Sequence, residues 1–280
     1  MKNKNYFVWI LLLLTTFACS LMTPPTTQVP ASAGVTEVVS QPQAAVTFTP
    51  IPTFTAAAPS PQSSETLSLN AEPFSEKGDA PPYTFTAQIP YLQGSDDIRV
   101  TNFNTLLRQI AEKEISIFRD SILTIAPLDP INAGSSFDLQ YTLVGQKQDY
   151  WGIKYDISLY FDGSAHPSHY SVTINYNLDQ GREIPLAELF SPDSNYLQVI
   201  SDFCKAELSA RDIGFDGFAV GADPLPENYT RWNISKEGLV ITFDEYQVAP
   251  YAAGPQVVVI PASALQSIIN PDRSLLFSGQ

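Results

Sequence analysis

Apolar side chains recur at every second position through the middle of the chain. Trp151, Ile153, Tyr155, Ile157, Leu159 and Phe161 take the odd positions, with Lys154, Asp156 and Ser158 between them. After the break Asp162-Gly-Ser-Ala-His-Pro-Ser168 the alternation resumes at Tyr170, Val172, Ile174, Tyr176 and Leu178, and Asp179-Gln-Gly-Arg182 reads as a turn. Period two sets one face of a strand on a core and the other toward water, so these runs predict adjacent antiparallel strands. Phe137, Leu139, Tyr141 and Leu143 predict a strand before them. Tyr83, Phe85, Ala87 and Ile89 predict another.

Two stretches change period. Phe103, Leu106, Leu107, Ile110, Ile117 and Phe118 predict an amphipathic helix over 102–122, with Asn102 as its N-cap. A second helix is expected near 194–210, where Leu197, Ile200, Cys204 and Leu208 share a face. Beyond a Gly/Asp/Pro-rich loop at 212–228, the pattern predicts a hairpin of Tyr229–Ile234 and Leu239–Phe243 turning at Lys236-Glu-Gly238. A strand at 256–260 and a short helix near 262–269 follow. Strands grouped with separated helices predict an α+β fold, with antiparallel sheets, a few packing helices and two small subdomains.

The C-terminal tract sets Tyr246 and Tyr251 around Ala249-Pro250, followed by Ala252-Ala-Gly254 and Pro255. Prolines fix φ and lack N–H donors, and the small residues permit tight backbone approach. The loop has a defined shape and carries no catalytic group, which points to a surface for recognition.

The other end has a different character. Lys2 and Lys4 precede an apolar run from Phe7 to Leu14 that is short for a membrane span, so residues 1–18 read as an export signal peptide. Ala18-Cys19 resembles a bacterial lipoprotein processing site, which makes Cys19 the expected lipidation site. The protein would then sit on the outer face of the bacterial cell membrane. Residues 19–70 are dominated by Pro, Thr, Ser, Ala and Gln, as in Thr47-Phe-Thr-Pro-Ile-Pro-Thr-Phe54. They offer too little apolar surface to offset ordering entropy, and a disordered, semi-extended tether is expected. At full stretch it reaches on the order of 150 Å.

The 280 residues, 44% hydrophobic, suffice for one or two cores. A formal charge of −14 argues against nucleic acid and favours cationic partners. Of the two cysteines, Cys204 has no partner once Cys19 is acylated, and its place on a helix face predicts a small buried hydrophobe. His166 and His169 are the only histidines, and Pro167 between them favours a turn, so no metal site is expected. Gly-x-Ser-x-Gly, Walker, dinucleotide and His-Glu-x-x-His motifs are absent. Neither an enzyme nor a cofactor is expected.

Two tracts carry a family resemblance. Phe161-Asp-Gly-Ser-Ala-His-Pro167 with Asn175-Tyr-Asn-Leu-Asp-Gln-Gly-Arg-Glu-Ile-Pro-Leu-Ala-Glu-Leu-Phe190, and Gly238–Leu265, resemble the two halves of the RsiV-type C-terminal domain of unknown function. The preceding region is similar in position and pattern to the partner domain of PdaC-type proteins. The resemblance covers about residues 72–270 and implies a PdaC-type α+β subdomain at 71–155 and an RsiV-like α+β domain at 156–280. The RsiV type includes a membrane-anchored anti-sigma factor whose outer domain binds lysozyme. Only six residues precede the apolar run here, so sigma-factor binding is not expected, and neither is deacetylation without a deacetylase domain. The expected function is extracytoplasmic sensing or binding of a lysozyme-like protein or a peptidoglycan ligand, without covalent chemistry. The alternative is a peptidoglycan-modifying envelope enzyme or its accessory. Asp162, His166, Tyr246 and Tyr251 are the candidate ligand-binding residues, and whether their two tracts meet is the first structural question.

Overall fold

The computed structural model describes residues 67–124 and 134–278. Cys19, the signal at 1–18 and nearly all of the expected tether lie outside these residues; Ser68–Asn70, at the tether's end, already form strand. Among the described residues, no helix is long and apolar enough to cross a membrane.

A six-stranded sheet runs in sequence order: β1 (Ser68–Asp79), β2 (Pro82–Gln93), β3 (Ser135–Lys147), β4 (Tyr150–Tyr160), β5 (Ser168–Asn177) and β6 (Arg182–Glu183). Helix α1 (Ile98–Thr124) connects β2 to β3, which pair in parallel; the other pairings are antiparallel. The single parallel pair follows from that crossover, because a chain leaving β2 through a long helix returns in the same direction. The α+β class is as expected.

The alternation reads directly onto the core. Trp151, Ile153, Tyr155 and Ile157 are buried with Phe85, Phe137 and Ile174 beneath α1, which contributes Val100, Phe103, Leu107, Ala111, Ile115, Phe118 and Ile122. The buried Tyr155 hydroxyl donates to the Leu107 carbonyl at 2.9 Å, so it is not left unpaired. Asn102 is not the N-cap. The helix starts four residues earlier, and Asp97 caps it by accepting the Arg99 N–H at 2.8 Å. The apolar period extends back through Val100, whose buried side chain brings the first turn into the helix.

A second sheet, β7 (Trp232–Ser235), β8 (Gly238–Phe243) and β9 (Gln256–Pro261), is antiparallel throughout. Helix α2 (Tyr196–Ser209) covers it with Ile200, Cys204 and Leu208, and the short helices α3 (Ala262–Leu265) and α4 (Ser274–Phe277) add Leu265 and Phe277 to the same core. A buried polar cluster joins the sheets. Asn175 Oδ1 accepts from Tyr150 Oη (2.8 Å) and Asn233 Nδ2 (2.9 Å), its Nδ2 donates to the Trp232 carbonyl, and Tyr150 Oη accepts the Ile234 N–H. The sequence-based boundary at 155/156 lies inside β4, which is hydrogen-bonded on both sides, whereas the two apolar clusters divide near β6.

Candidate functional site

Two loops far apart in sequence meet at one end of the sheets. One is the β4–β5 connection carrying His166; the other follows β8 and carries Tyr246 and Tyr251. The His166 and Tyr251 rings stack with centroids 3.8 Å apart, and Tyr246 lies 5.8 Å from Tyr251. His166 Nδ1 faces the Pro167 carbonyl at 2.7 Å, which assigns it the proton and leaves Nε2 to face the Tyr246 hydroxyl at 3.4 Å. Tyr246 is 54% exposed and adopts a left-handed backbone (φ 65°), which turns its ring out beside Tyr251. Burial raises the Tyr251 phenol above its ordinary value, with Glu245 and Tyr246 adding to the effect.

The residues just before Tyr246 explain why this loop has a fixed place. Among the described residues, the outward edge of β5 has no strand partner along its first half, since β6 pairs only with Tyr176 and Asn177. Asp244 and Glu245 fill that gap. Asp244 Oδ1 accepts the Ser171 N–H at 3.0 Å, and Glu245 Oε2 accepts the His169 N–H at 3.0 Å. Consecutive carboxylates thus satisfy alternate edge amides. Arg231 completes the clamp, donating from Nε to the Ser171 carbonyl at 2.8 Å and pairing with Asp244 at 2.6 Å. Glu245 Oε1 also accepts from His169 Nδ1 at 2.6 Å, with side-chain exposures of 7% for Glu245 and 40% for His169. Burial pushes the Asp244 carboxyl above its ordinary range, while Arg231 and the Ser171 amide pull it back.

On its other side the loop is held by Gln247, whose Nε2 donates to the Gly221 and Asn228 carbonyls at 3.1 and 2.9 Å. Val248 and Ala249 are buried behind it.

Of the four predicted site residues, His166, Tyr246 and Tyr251 come together. Asp162 stands apart from that stack: its N–H donates to Ser135 Oγ at 3.1 Å, and its Oδ1 is buried without a hydrogen-bond partner among the described residues. His169, Asp244, Glu245 and Arg231 were missed. The signal available was the acidic pair directly before Tyr246, but its use depends on a strand edge contributed from over 70 residues away. Cys204 is fully buried, and burial pushes its thiol up to about 12, the behaviour of a packing residue. Among the described residues, no three His, Cys, Asp or Glu side chains gather as metal ligands would.

Comparison with known proteins gives the setting. Residues 187–263 match a family model described as a protein of unknown function, DUF3298, a span that includes Arg231, the acidic pair and both loop tyrosines. The chain is distantly related to the peptidoglycan-N-acetylmuramic acid deacetylase PdaC of Bacillus subtilis, 26% identical over 170 residues, or 60% of this chain and 36% of that protein. An esterase of Mycobacterium tuberculosis is 31% identical over 104 residues, 37% of this chain and 45% of the esterase. The chain therefore spans less than half the length of both relatives. A solved DUF3298 family member from Bacteroides fragilis shares the fold, with a TM-score of 0.57 at 15% identity, covering 76% of this chain and 97% of the other.

Proposed function

We propose that this chain is an exported, membrane-tethered lipoprotein of the bacterial envelope that binds or senses an extracytoplasmic ligand through the rim of His166, Tyr246 and Tyr251. The ligand is a lysozyme-like protein or a wall glycan, and binding involves no covalent chemistry and no sigma factor. One observation carries the reading: three aromatic rings from two distant loops form one outward-facing stack, held in place by a half-buried clamp. Rigid aromatics with polar ends give recognition area at low entropic cost. The charge of −14 suits a cationic protein such as lysozyme. The resemblance of Gly238–Leu265 to the RsiV-type domain, and the similarity to a protein named for a peptidoglycan substrate, support the same direction. Immobilised protein should retain lysozyme or muropeptides from solution; retention of neither would refute the reading. Lipidation at Cys19 predicts that Cys19→Ala releases the protein from membranes, and continued membrane association would refute the anchor.

A second reading, an envelope hydrolase or its accessory, draws on the His169–Glu245 pair. A carboxylate on Nδ1 leaves Nε2 to act as a base, and the two curated relatives carry deacetylase and esterase names. It predicts turnover of acetylated muropeptide or a simple ester by the purified chain, lost in His169→Ala.

A further inference from the structure

A cavity of about 530 Å³ opens where the two sheets meet, beside the β7–β8 turn and α4. It exists because β3 carries an irregularity between Leu143 and Gly145, and because Gly145 lets β7 come very near: a Cβ there would stand 2.1 Å from the Ile234 carbonyl oxygen. Its wall is aliphatic, formed by Leu143, Val144, Ile234 and Leu276, and Leu143 is 42% exposed. The hydroxyls near it are already committed. Tyr150 Oη serves Asn175 and the Ile234 N–H, and Ser235 Oγ accepts the Glu237 N–H at 3.1 Å. That leaves little to recognise a sugar, which needs several free donors and acceptors.

Two cations stand at the rim. Lys147 Nζ donates to the Ser278 carbonyl and lies 3.1 Å from Ser278 Oγ, while Lys236 sits exposed at the tip of the β7–β8 turn. Among the described residues, neither enters an ion pair, although the chain has 29 acidic against 15 basic residues. Among the described residues that line the cavity, Glu237 at the same turn is the one carboxylate. We infer that the cavity binds a single-chain amphipathic anion, an acyl carboxylate whose tail lies along the aliphatic wall and whose head group meets Lys147 and Lys236. A cavity of this size, an aliphatic wall and two lysines among the lining residues are what such a ligand requires. The site lies apart from the aromatic rim, and its occupancy does not depend on the reading above.

Calorimetric titration of the purified full chain with decanoate, acetate and decyltrimethylammonium, all below micelle formation, tests this. Decanoate should bind saturably at one per chain, whereas acetate and the cation should not bind. Lys236→Glu, on an exposed turn, should weaken decanoate by about tenfold or more with an unchanged circular dichroism spectrum, as should Leu143→Asp in the aliphatic wall. The inference is overturned if decanoate does not bind, if the cation binds as tightly, or if both variants bind decanoate as the parent does. Attachment to phosphatidylglycerol vesicles without uptake of monomeric decanoate also overturns it, since that would mark a membrane-surface contact.

Discussion

Replacing Glu245 by alanine tests whether the acidic clamp fixes the aromatic loop. The substitution removes two hydrogen bonds to one carboxylate, from the His169 N–H at 3.0 Å and from His169 Nδ1 at 2.6 Å. Bonds to a charged group contribute about 1.5–3 kcal/mol each, and His169 is partly open to water, so both belong at the low end of that range. The amide left without its acceptor on the β5 edge adds desolvation cost only to the extent that water fails to reach it. The expected loss is about 2–4 kcal/mol. With a urea m-value of about 2–3 kcal/mol/M, the midpoint should fall by about 0.7–2 M. Glu245→Gln keeps one acceptor for the His169 amide and should cost about half as much. Urea unfolding followed by far-UV circular dichroism at neutral pH gives both values. A loss below about 0.5 kcal/mol for the alanine variant would show that the carboxylate does not hold the loop.

Two further outcomes follow from local geometry. A Cβ at Gly221 would stand 1.7 Å from the Gln247 carbonyl oxygen, so Gly221→Ala should displace the loop's second anchor and cost about 1–3 kcal/mol; an unchanged melting temperature would contradict that packing. The Arg99 guanidinium and its backbone amide hold the Asp97 carboxyl down to about 2 from an ordinary 3.8. A lowered carboxylate pKa stabilises the fold above the unfolded value, and that stability is lost as pH falls from about 4 to about 2. Asp97→Asn should therefore flatten this part of the melting-temperature profile, and an unaltered acid limb would refute the cap.

The parts of the fold legible in the sequence are those where one face is buried and the other wet. β4 and β5 show it over much of their length, because Trp151 through Ile157 and Val172 through Tyr176 alternate against one core, while Tyr150 and Asn175 on the opposite face are buried against the second sheet. β1 was not legible: as an edge strand it is largely exposed, so Ser68–Asp79 carry little alternation to read. The parallel β2–β3 pairing and the start of α1 at Ile98 escaped for different reasons. Pairing direction is a property of the crossover, and a cap is identified only once the first helical turn is placed. Three of the four candidate site residues converge because the His166 and Tyr251 loops leave neighbouring strand ends. Asp162 lies close to His166 in sequence, yet the loop carries it toward Ser135. The clamp of Arg231, Asp244 and Glu245 was invisible because its meaning lies in the register of β5, to which those residues are not adjacent in sequence.

The central claim, recognition through the aromatic rim, is tested most directly by the affinity of Tyr251→Ala for lysozyme and for muropeptides beside the parent protein. Tyr251 touches both His166 and Tyr246, so its removal takes the centre out of the stack while leaving the clamp in place. The account predicts that the parent binds one of these ligands and that the variant loses about tenfold or more at an unchanged melting temperature. Equal affinity of the folded variant would contradict it.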